Sequence, residues 1–183
     1  VPSYYLGYFY ETRAMLEYQK AHPPRASQVM EIERALLERF RDPELVEKPH
    51  ELMKRGGAYY SEAAACLLED LHRDAGTTHV VNVRNRGAVP GYPDDVVMEI
   101  PARVGRSGAD ALPVAPLRPD LDSLVRTVKD FELLTIAAAV DGDASLARLA
   151  LLSHPLGPDA SRVEAVWDRL RRDHAGRLGR LDA

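Results

Sequence analysis

The sequence is poor in cysteine, tryptophan and asparagine, and it has no long apolar run. Its single cysteine cannot form an internal disulfide, and the chain does not start like a signal peptide, so we expect a cytoplasmic protein. No segment approaches the ~18 consecutive apolar residues that a membrane-spanning helix needs. Acidic residues outnumber basic ones by 28 to 24, which gives a formal net charge of -4. We therefore expect neither a nucleic acid nor a membrane as a partner.

The common signatures of metal and cofactor sites are also missing. The six histidines show none of the spacings of a zinc site. Asp141-Gly142-Asp143 resembles the start of a calcium loop, but Leu146 and Ala147 stand where ligands or a glycine are required. We interpret these acidic residues as a helix end followed by the N-cap of the next helix. Because no Gly-x-Gly-x-x-Gly follows a strand and no P-loop is present, we predict no metal or cofactor ligand in this chain.

The 183 residues, 45% of them hydrophobic, are enough to bury one sizeable core, and their spacing predicts helices at both ends of the chain. The predicted helices cover residues 3–19, a segment from Ser27 to Asp42, a segment opened by residues 55–61, a segment from Asp122 or Ser123 to about Val140, one from Asp143 to Leu152, and one after a capping box of Ser161 and Glu164. We predict a surface loop or lid over residues 43–54 and a frayed tail over residues 171–183.

The strands are predicted in the middle of the chain. Residues 78–83 are β-prone, and alternating apolar residues over 96–104 indicate a half-buried strand. A turn at residues 105–108 and a short strand around 112–114 complete a small, mostly antiparallel sheet. Cys66 lies beside an apolar stripe of the preceding helix, so we predict that it is part of the core. The stripe consists of Ala64, Leu67, Leu68 and Leu71. Helices followed by strands and then by helices predict the α+β class.

Two segments contain the groups best suited to bind a ligand. In the first, Arg55 and two glycines come just before a helix, whose unpaired N–H groups attract anions. Gly56 and Gly57 would let a ligand approach the backbone closely. Tyr59 and Tyr60 follow, and their phenols can stack on a sugar or transfer a proton. The alternative is an ordinary helix start with packed aromatic side chains, and the spacing leaves both interpretations open.

The second segment follows a predicted strand and contains Arg84, Asn85 and Arg86. Polar ligands are often bound where strands end in loops. Guanidinium groups match phosphate oxygens with two parallel hydrogen bonds. The alternative is a charged turn in which Asp94 and Asp95 pair with the arginines at the surface. Together the two segments predict a site for a phosphorylated polar ligand.

The same segments resemble glycoside hydrolase family 4, the NAD- and metal-dependent glycosidases, and in particular its 6-phospho-β-glucosidase branch. The resemblance rests on KRGGAYYSEAA (residues 54–64), VNVRNRGAVPGYPDDVV (81–97), ALPVAPLRP (111–119) and the tyrosine-rich opening VPSYYLGYFY. It implies that residues 1–183 are one C-terminal substrate and oligomerisation domain, similar in fold to the C-terminal domain of lactate and malate dehydrogenases. The dinucleotide-binding domain and the metal-binding Cys and His that lie upstream in this family are absent from the chain. A start at Val1 agrees with an excised piece of a longer protein.

The resemblance implies a chemistry that does not use the common pair of carboxylates. In this family a hydride passes from C3 of the sugar to NAD, a divalent metal such as Mn²⁺ polarises the C2 and C3 oxygens, and a tyrosine removes the C2 proton before the aglycone is eliminated. The base corresponds to Tyr60. Because a free phenol has a pKa of ~10, its phenolate needs positive charge from Arg55, in the substrate pocket, or from the metal. The residue that binds the substrate phosphate corresponds to Arg84, with Asn85 nearby, and Arg86 is the alternative.

We therefore expect a full-length enzyme that hydrolyses a phosphorylated disaccharide or aryl β-glucoside, with NAD and Mn²⁺ bound mainly outside this chain. The isolated chain is expected to be inactive, Tyr59 to pack, and the tyrosines of the first helix to form a packing or subunit-contact face of a homo-oligomer. Two alternatives remain open: a non-catalytic module for sugar-phosphate binding or subunit assembly, and a family 4 α-glycosidase. The sequence leaves open the aglycone, the gluco or galacto configuration and the number of subunits.

Overall fold

The computed structural model describes residues 6–55 and 59–182. Within them the chain forms two compact units, a helical unit (residues 6–15 and 117–182) and a sheet unit (residues 16–116). The elements in chain order are α1 Gly7–Tyr10, α2 Thr12–Ala21, α3 Arg25–Arg39, α4 Glu51–Arg55, α5 Tyr60–Arg73, β1 Thr77–Arg84, β2 Val97–Gly105, β3 Gly108–Ala111, α6 Pro119–Asp141, α7 Ala144–Ser153, α8 Val163–Asp173 and a 3-10 turn Gly179–Asp182. No helix in these described ranges is long and apolar enough to cross a membrane.

The sheet of the sheet unit contains three antiparallel strands in the order β1-β2-β3. The predicted alternation along β2 is confirmed, because every second side chain is buried while its neighbours are exposed or half-buried. The buried positions are Met98, Ile100, Ala102 and Val104. β1 lies opposite β2 from Thr77 beside Val104 to Arg84 beside Val97. This register places the end of β1 at the start of β2.

The predicted hairpin turn is confirmed, but the return strand begins earlier than predicted. Gly105 pairs with Gly108, so that β3 covers Gly108–Ala111 rather than residues 112–114. A two-residue turn brings the next residue directly opposite the preceding strand, and pairing resumes at once. Gly108 has a φ of +115°, a conformation that side chains with a Cβ rarely adopt.

The helix predicted over residues 3–19 is interrupted at Glu11, between α1 and α2. The hydroxyl of Thr12 donates to the carbonyl oxygen of Tyr8 at 2.9 Å. A hydroxyl bound to the carbonyl four residues earlier competes with the backbone hydrogen bond of a continuous helix. The end of α2 before residues 22–24 is confirmed. The first three residues of the predicted helix lie outside the described residues.

α4 replaces part of the loop or lid predicted over residues 43–54. This five-residue helix has no apolar periodicity, and two of its side chains form ion pairs with α3. Glu51 pairs with Arg39 at 3.0 Å, and Arg55 pairs with Glu33 at 3.2 Å. Because both partners are distant in sequence, local spacing could not predict the helix.

The helical unit packs α6, α7 and α8 around Trp167, which is only 4% exposed. The buried cluster consists of Ala138, Ala147 and Trp167, with Ala144, Leu146, Leu151 and Leu181 packed against it. The guanidinium carbon of Arg148 lies 5.6 Å from the centre of the Trp167 ring system, within the range of a cation–π contact. One aromatic side chain therefore forms the centre of this unit.

Asp143 is the N-cap of α7, as predicted. Its Oδ1 accepts hydrogen bonds from the backbone N–H groups of Ser145 and Leu146 at 2.7 and 3.2 Å. Gly142 ends α6 with a φ of +75°, which confirms the interpretation of this segment as a helix end and a new cap. A Cβ at Gly142 would lie 2.9 Å from the Cβ of Arg180, so both the conformation and the space require glycine.

The N-terminus of α6 lies earlier than predicted. The helix begins at Pro119 rather than after Asp122 or Ser123, and Arg118 is its N-cap residue. Proline suits the first helical position because its φ is already helical and the N–H that it lacks would have no partner within the helix. The guanidinium of Arg118 donates to both carboxylate oxygens of Asp120, at 3.0 and 2.7 Å, and this lowers the pKa of Asp120.

The last helix and the tail also differ from the predictions. The hydroxyl of Ser161 donates to Asp159 at 2.6 Å instead of capping α8, which begins at Val163. The predicted frayed tail contains the 3-10 turn over residues 179–182. Leu181 of that turn packs against the core of the helical unit. Packing of this half-buried leucine therefore helps to anchor a segment whose composition is polar.

Candidate functional site

The tyrosine predicted as the base lies at the first position of α5. Tyr60 is 79% exposed, and within the described part of the chain its hydroxyl has no hydrogen-bond partner. Tyr59, which was expected to pack, precedes the helix and is 63% exposed, with Lys48 Nζ 5.8 Å from the centre of its ring. Both phenols are thus accessible in this chain. Gly56 and Gly57, predicted to let an anion approach the backbone, lie outside the described residues.

Arg55, predicted to bind substrate beside Tyr60, ends α4 and pairs with Glu33 at 3.2 Å. Among the residues that the structure describes, its guanidinium makes no hydrogen bond to Tyr60. Both partners of the ion pair are close to half exposed, and a pair of that kind contributes only about 0–1 kcal/mol. Exchange of the carboxylate for an anionic ligand would therefore cost little.

Asn85, predicted to bind substrate, is 0% exposed and directs its side chain into the loop that follows β1. Its Nδ2 lies 3.2, 2.9 and 3.2 Å from the carbonyl oxygens of Val89, Tyr92 and Pro93. Its Oδ1 accepts a hydrogen bond from the backbone N–H of Val89 at 2.7 Å. In this structure the side chain holds the loop together.

The two arginines that flank Asn85 are exposed. Over the described ranges, neither guanidinium has an ion pair or a hydrogen bond, so the alternative of a turn neutralised by Asp94 and Asp95 is not observed. Arg86 has a φ of +46°, in the left-handed region, and its backbone N–H donates to the carbonyl oxygen of Asp94 at 3.0 Å. Two solvated guanidinium groups are therefore available to an anion at the end of β1.

A polar cluster that no motif in the sequence predicted joins the last turn of α5 to the first residues of β1. The hydroxyl of Thr77 donates to Asp70 Oδ2 at 2.5 Å, and His79 Nε2 lies 2.6 Å from the same oxygen. The hydrogen bonds from Thr77 and then from His79 lower the pKa of Asp70. These residues follow no recognised spacing, and only the packing of the helix against the sheet brings them together.

We expect this cluster to make stability depend on pH in the acidic range. The pKa of Asp70 lies below its ordinary value of 3.8 in the folded protein, so its carboxylate stabilises the fold above that pH, and the contribution is lost as the pH falls through the lower folded value. Asp70→Asn should lower the thermal unfolding midpoint at about pH 6 and have much less effect at about pH 2. Circular dichroism of both proteins across this range measures the difference.

The exposed Asp168→Asn is the matched control for that experiment, because it removes one carboxylate from a helix without touching the cluster. Its unfolding midpoint should follow that of the wild type at both pH values. A gap between wild type and Asp70→Asn that stays constant on acidification would contradict the prediction.

Cys66 is exposed, and the prediction that it lies in the core is wrong. Only two of the four residues of the predicted apolar stripe of α5 are partly buried. Leu67 and Leu71 are half-buried, whereas Ala64 and Leu68 are exposed in this chain. Sequence periodicity gave the direction of the stripe but not its width. Cys66 lies just outside the half-buried positions of α5.

Neither a cluster of metal ligands nor a glycine-rich dinucleotide turn is found in the part of the chain that the structure describes. Within residues 6–55 and 59–182, no group of three or more His, Cys, Asp or Glu side chains is arranged to hold a metal ion. The segments after β1, β2 and β3 contain no Gly-x-Gly-x-x-Gly turn.

A three-stranded antiparallel sheet combined with helices defines an α+β domain of the kind found at the C-terminal end of lactate and malate dehydrogenases, and the predicted fold class is confirmed. Residues 1–157 match the family 4 glycosyl hydrolase C-terminal domain. The chain therefore belongs to glycosyl hydrolase family 4.

Individual relatives agree with this membership. The chain is 44% identical over 166 residues to 6-phospho-beta-glucosidase BglT of Thermotoga maritima, a match that covers 91% of this chain and 40% of the relative. It is 34% identical to a probable 6-phospho-beta-glucosidase of Bacillus subtilis, over 97% of this chain and 41% of the relative. A T. maritima 6-phospho-beta-glucosidase structure with manganese, NAD⁺ and glucose-6-phosphate has a TM-score of 0.88 and 39% identity, over 96% of this chain and 42% of that one. The chain thus spans about 40% of the length of these relatives.

Proposed function

We propose that the complete protein is a 6-phospho-β-glucosidase and that residues 1–183 form its C-terminal substrate and oligomerisation domain. The observation that carries the proposal is the pair of guanidinium groups at the end of β1, which no carboxylate of the described residues neutralises. An unneutralised arginine pair suits a phosphate group. The T. maritima relative, a 6-phospho-beta-glucosidase, and the B. subtilis relative, a probable one, support the same substrate class.

Arg84 is our first choice for the residue that binds the substrate phosphate, and Arg86 is the alternative. Both side chains are exposed and lie on either side of a buried residue, so both can extend towards the same anion. Arg55 is assigned to the substrate pocket on the resemblance, and its half-exposed pairing with Glu33 leaves it able to change partner. These three arginines give the proposed site a positive charge, which suits a phosphorylated substrate.

Tyr60 is the proposed base that removes the proton from C2 of the sugar. Its place at the start of α5 leaves the phenolic oxygen open to a ligand. The phenolate is the active form, so a nearby positive charge must stabilise it near neutral pH. NAD and a divalent cation, which we propose are held by residues outside this chain, supply when bound the hydride acceptance and the polarisation that make the C2 proton acidic. The isolated chain is accordingly expected to be inactive.

Release of nitrophenol from 4-nitrophenyl β-glucoside 6-phosphate by the complete protein tests this function. We expect turnover that requires both NAD⁺ and Mn²⁺, because hydride acceptance and metal polarisation must both precede the elimination. Neither cofactor is consumed in a turnover. Omission of either one is the internal control. The unphosphorylated 4-nitrophenyl β-glucoside should be turned over with a much higher KM, since it offers no charge to the arginines.

Other outcomes would correct the proposal in defined ways. If only an α-linked substrate were turned over, the proposed dependence on NAD⁺ and Mn²⁺ would stand and the proposed specificity for β-linked substrates would be wrong. Turnover without NAD⁺ would contradict the oxidation and elimination chemistry. Absence of turnover on every phosphorylated and unphosphorylated glucoside would favour a non-catalytic sugar-phosphate-binding or assembly module.

A further inference from the structure

Asn85 is the only polar residue among the buried positions in the described part of the chain, and its side chain is fully engaged. The two Nδ2 hydrogens serve three backbone carbonyl oxygens at 2.9–3.2 Å, and Oδ1 accepts from the Val89 N–H at 2.7 Å. An amide group has only two donor hydrogens, so no donor remains for a ligand. With 0% of the residue exposed, a substrate atom cannot reach it without unfolding of the loop.

The backbone around Asn85 is held as firmly as its side chain. Its N–H donates to the carbonyl oxygen of Val96 at 2.8 Å, and its carbonyl oxygen accepts from the N–H of Ala88 at 2.8 Å. The N–H of Arg86 donates to the carbonyl oxygen of Asp94 at 3.0 Å. The backbone on both sides of Asn85 is therefore tied to the far end of the loop.

The loop also keeps Arg86 in a conformation that an arginine rarely adopts. Its φ of +46° lies in the left-handed region, and a non-glycine residue persists there only when its surroundings determine its conformation. Here the surroundings are the Asn85 hydrogen bonds and the burial of Val89 and Tyr92 in the same loop. Strain of this kind is concentrated at binding sites.

We propose that Asn85 is a positioning residue that holds the loop of residues 85–96 so that Arg84 and Arg86 present their guanidinium groups to the substrate phosphate from fixed backbone positions. The inference rests on the proposed function and replaces the substrate contact that the sequence suggested for Asn85. Prior ordering of the loop lowers the conformational entropy that phosphate binding would otherwise cost. The arginines bind and Asn85 acts only through them.

Asn85→Ala in the complete protein tests the proposal. We expect the Kd of glucose 6-phosphate, measured by titration calorimetry, to rise about tenfold or more, which is the loss of roughly one well-placed charged hydrogen bond. The Kd of glucose should change less than about twofold, because glucose has no phosphate. In turnover of the phosphorylated glucoside, KM should rise while kcat changes little. Equal weakening of both ligands, or no weakening, would overturn the proposal.

A double-mutant cycle separates positioning from a general structural role. In a background that carries both Arg84→Ala and Arg86→Ala, Asn85→Ala should change the Kd of glucose 6-phosphate by less than about twofold, because the groups through which it acts are gone. If Asn85→Ala still raised the Kd of glucose 6-phosphate about tenfold in that background, the proposal would be overturned. The two arginines need not be distinguished for this comparison.

Asp143→Ala is the matched control for lost stability. It removes two backbone hydrogen bonds from a helix N-terminus in the helical unit and changes no residue of the loop of residues 85–96. Its glucose 6-phosphate affinity should equal that of the wild type. A tenfold loss in this control would mean that reduced stability alone explains the Asn85→Ala result.

If Asn85→Ala yields no folded protein, Gly87→Ala tests the same loop more gently. Gly87 has a φ of +81°, and the nearest atom to an added Cβ would be Asp94 Oδ1 at 3.9 Å, so the substitution strains the backbone beside Arg86 without a clash. We expect a selective rise in the Kd of glucose 6-phosphate, and an unchanged Kd would overturn the proposal. Binding is measured without turnover, so failure of the positioning role and failure of the proposed catalytic function give different results.

Discussion

Tyr60→Phe in the complete protein is expected to lower kcat for the phosphorylated β-glucoside by about 10²–10⁴-fold, the usual contribution of a positioned acid or base. The substitution removes only the phenolic O–H. In the described part of the chain this hydroxyl makes no hydrogen bond, so its loss should leave the unfolding midpoint unchanged. NAD⁺ binding should also be unchanged, because no cofactor ligand is assigned to this residue. Steady-state kinetics with saturating NAD⁺ and Mn²⁺ measure the effect.

Tyr59→Phe is the matched control, because it removes the same group from the adjacent and similarly exposed residue. It should change kcat by less than about threefold, far below the loss expected for a general base. If Tyr59→Phe abolished turnover and Tyr60→Phe did not, the base would be assigned to the wrong tyrosine. If both variants stayed active, the proton at C2 would be removed by a group outside this segment.

Trp167→Ala is expected to destabilise the protein by about 3–5 kcal/mol, the usual cost of replacing a buried tryptophan by alanine. Its side chain is the largest in the core of the helical unit, and α6, α7, α8 and the turn at residues 179–182 all contribute to its surroundings. Deletion of the indole would leave a cavity among these packed elements. Urea unfolding followed by circular dichroism measures the loss, which should leave glucose 6-phosphate affinity unchanged in the fraction that remains folded.

Trp167→Phe separates the packing contribution from the polar one. The indole Nε1 is buried and has no hydrogen-bond partner among the described residues, so its removal breaks no hydrogen bond. Relief of an unsatisfied donor is worth about 1–3 kcal/mol and offsets part of the lost packing. Trp167→Phe should therefore cost less than half as much as Trp167→Ala. Equal losses in the two variants would show that the whole indole, and not an aromatic ring, is required.

The parts of the fold that depend on neighbouring residues could be predicted from the sequence. Alternation over residues 96–104 predicted β2, and the position of Asp143 after a glycine predicted a helix cap, since both signals lie within a few residues. The parts that depend on distant partners could not. α4 makes ion pairs with α3, and Leu181 of the turn at residues 179–182 packs against the core of the helical unit.

The candidate site likewise has features that neighbouring residues predict and features that depend on distant partners. The residue types at Tyr60, Arg84 and Arg86 indicated a polar, phosphate-binding chemistry, and the structure leaves all three exposed. The sequence could not separate Asn85 from the arginines beside it, because a ligand and a loop-holding amide have the same place in the motif. Only burial and the four hydrogen bonds of Asn85 distinguish the two. The assignments of Tyr60 and Arg84 stay predictions.

The position of the single tryptophan gives the chain a built-in spectroscopic probe for one of its two units. Trp167 lies in the helical unit, whereas Tyr60 and the loop of residues 85–96 lie in the sheet unit. Indole fluorescence of this chain will therefore report the opening of the α6–α8 core. Emission that shifts at a lower urea concentration than the β-sheet signal would reveal that the two units unfold one after the other.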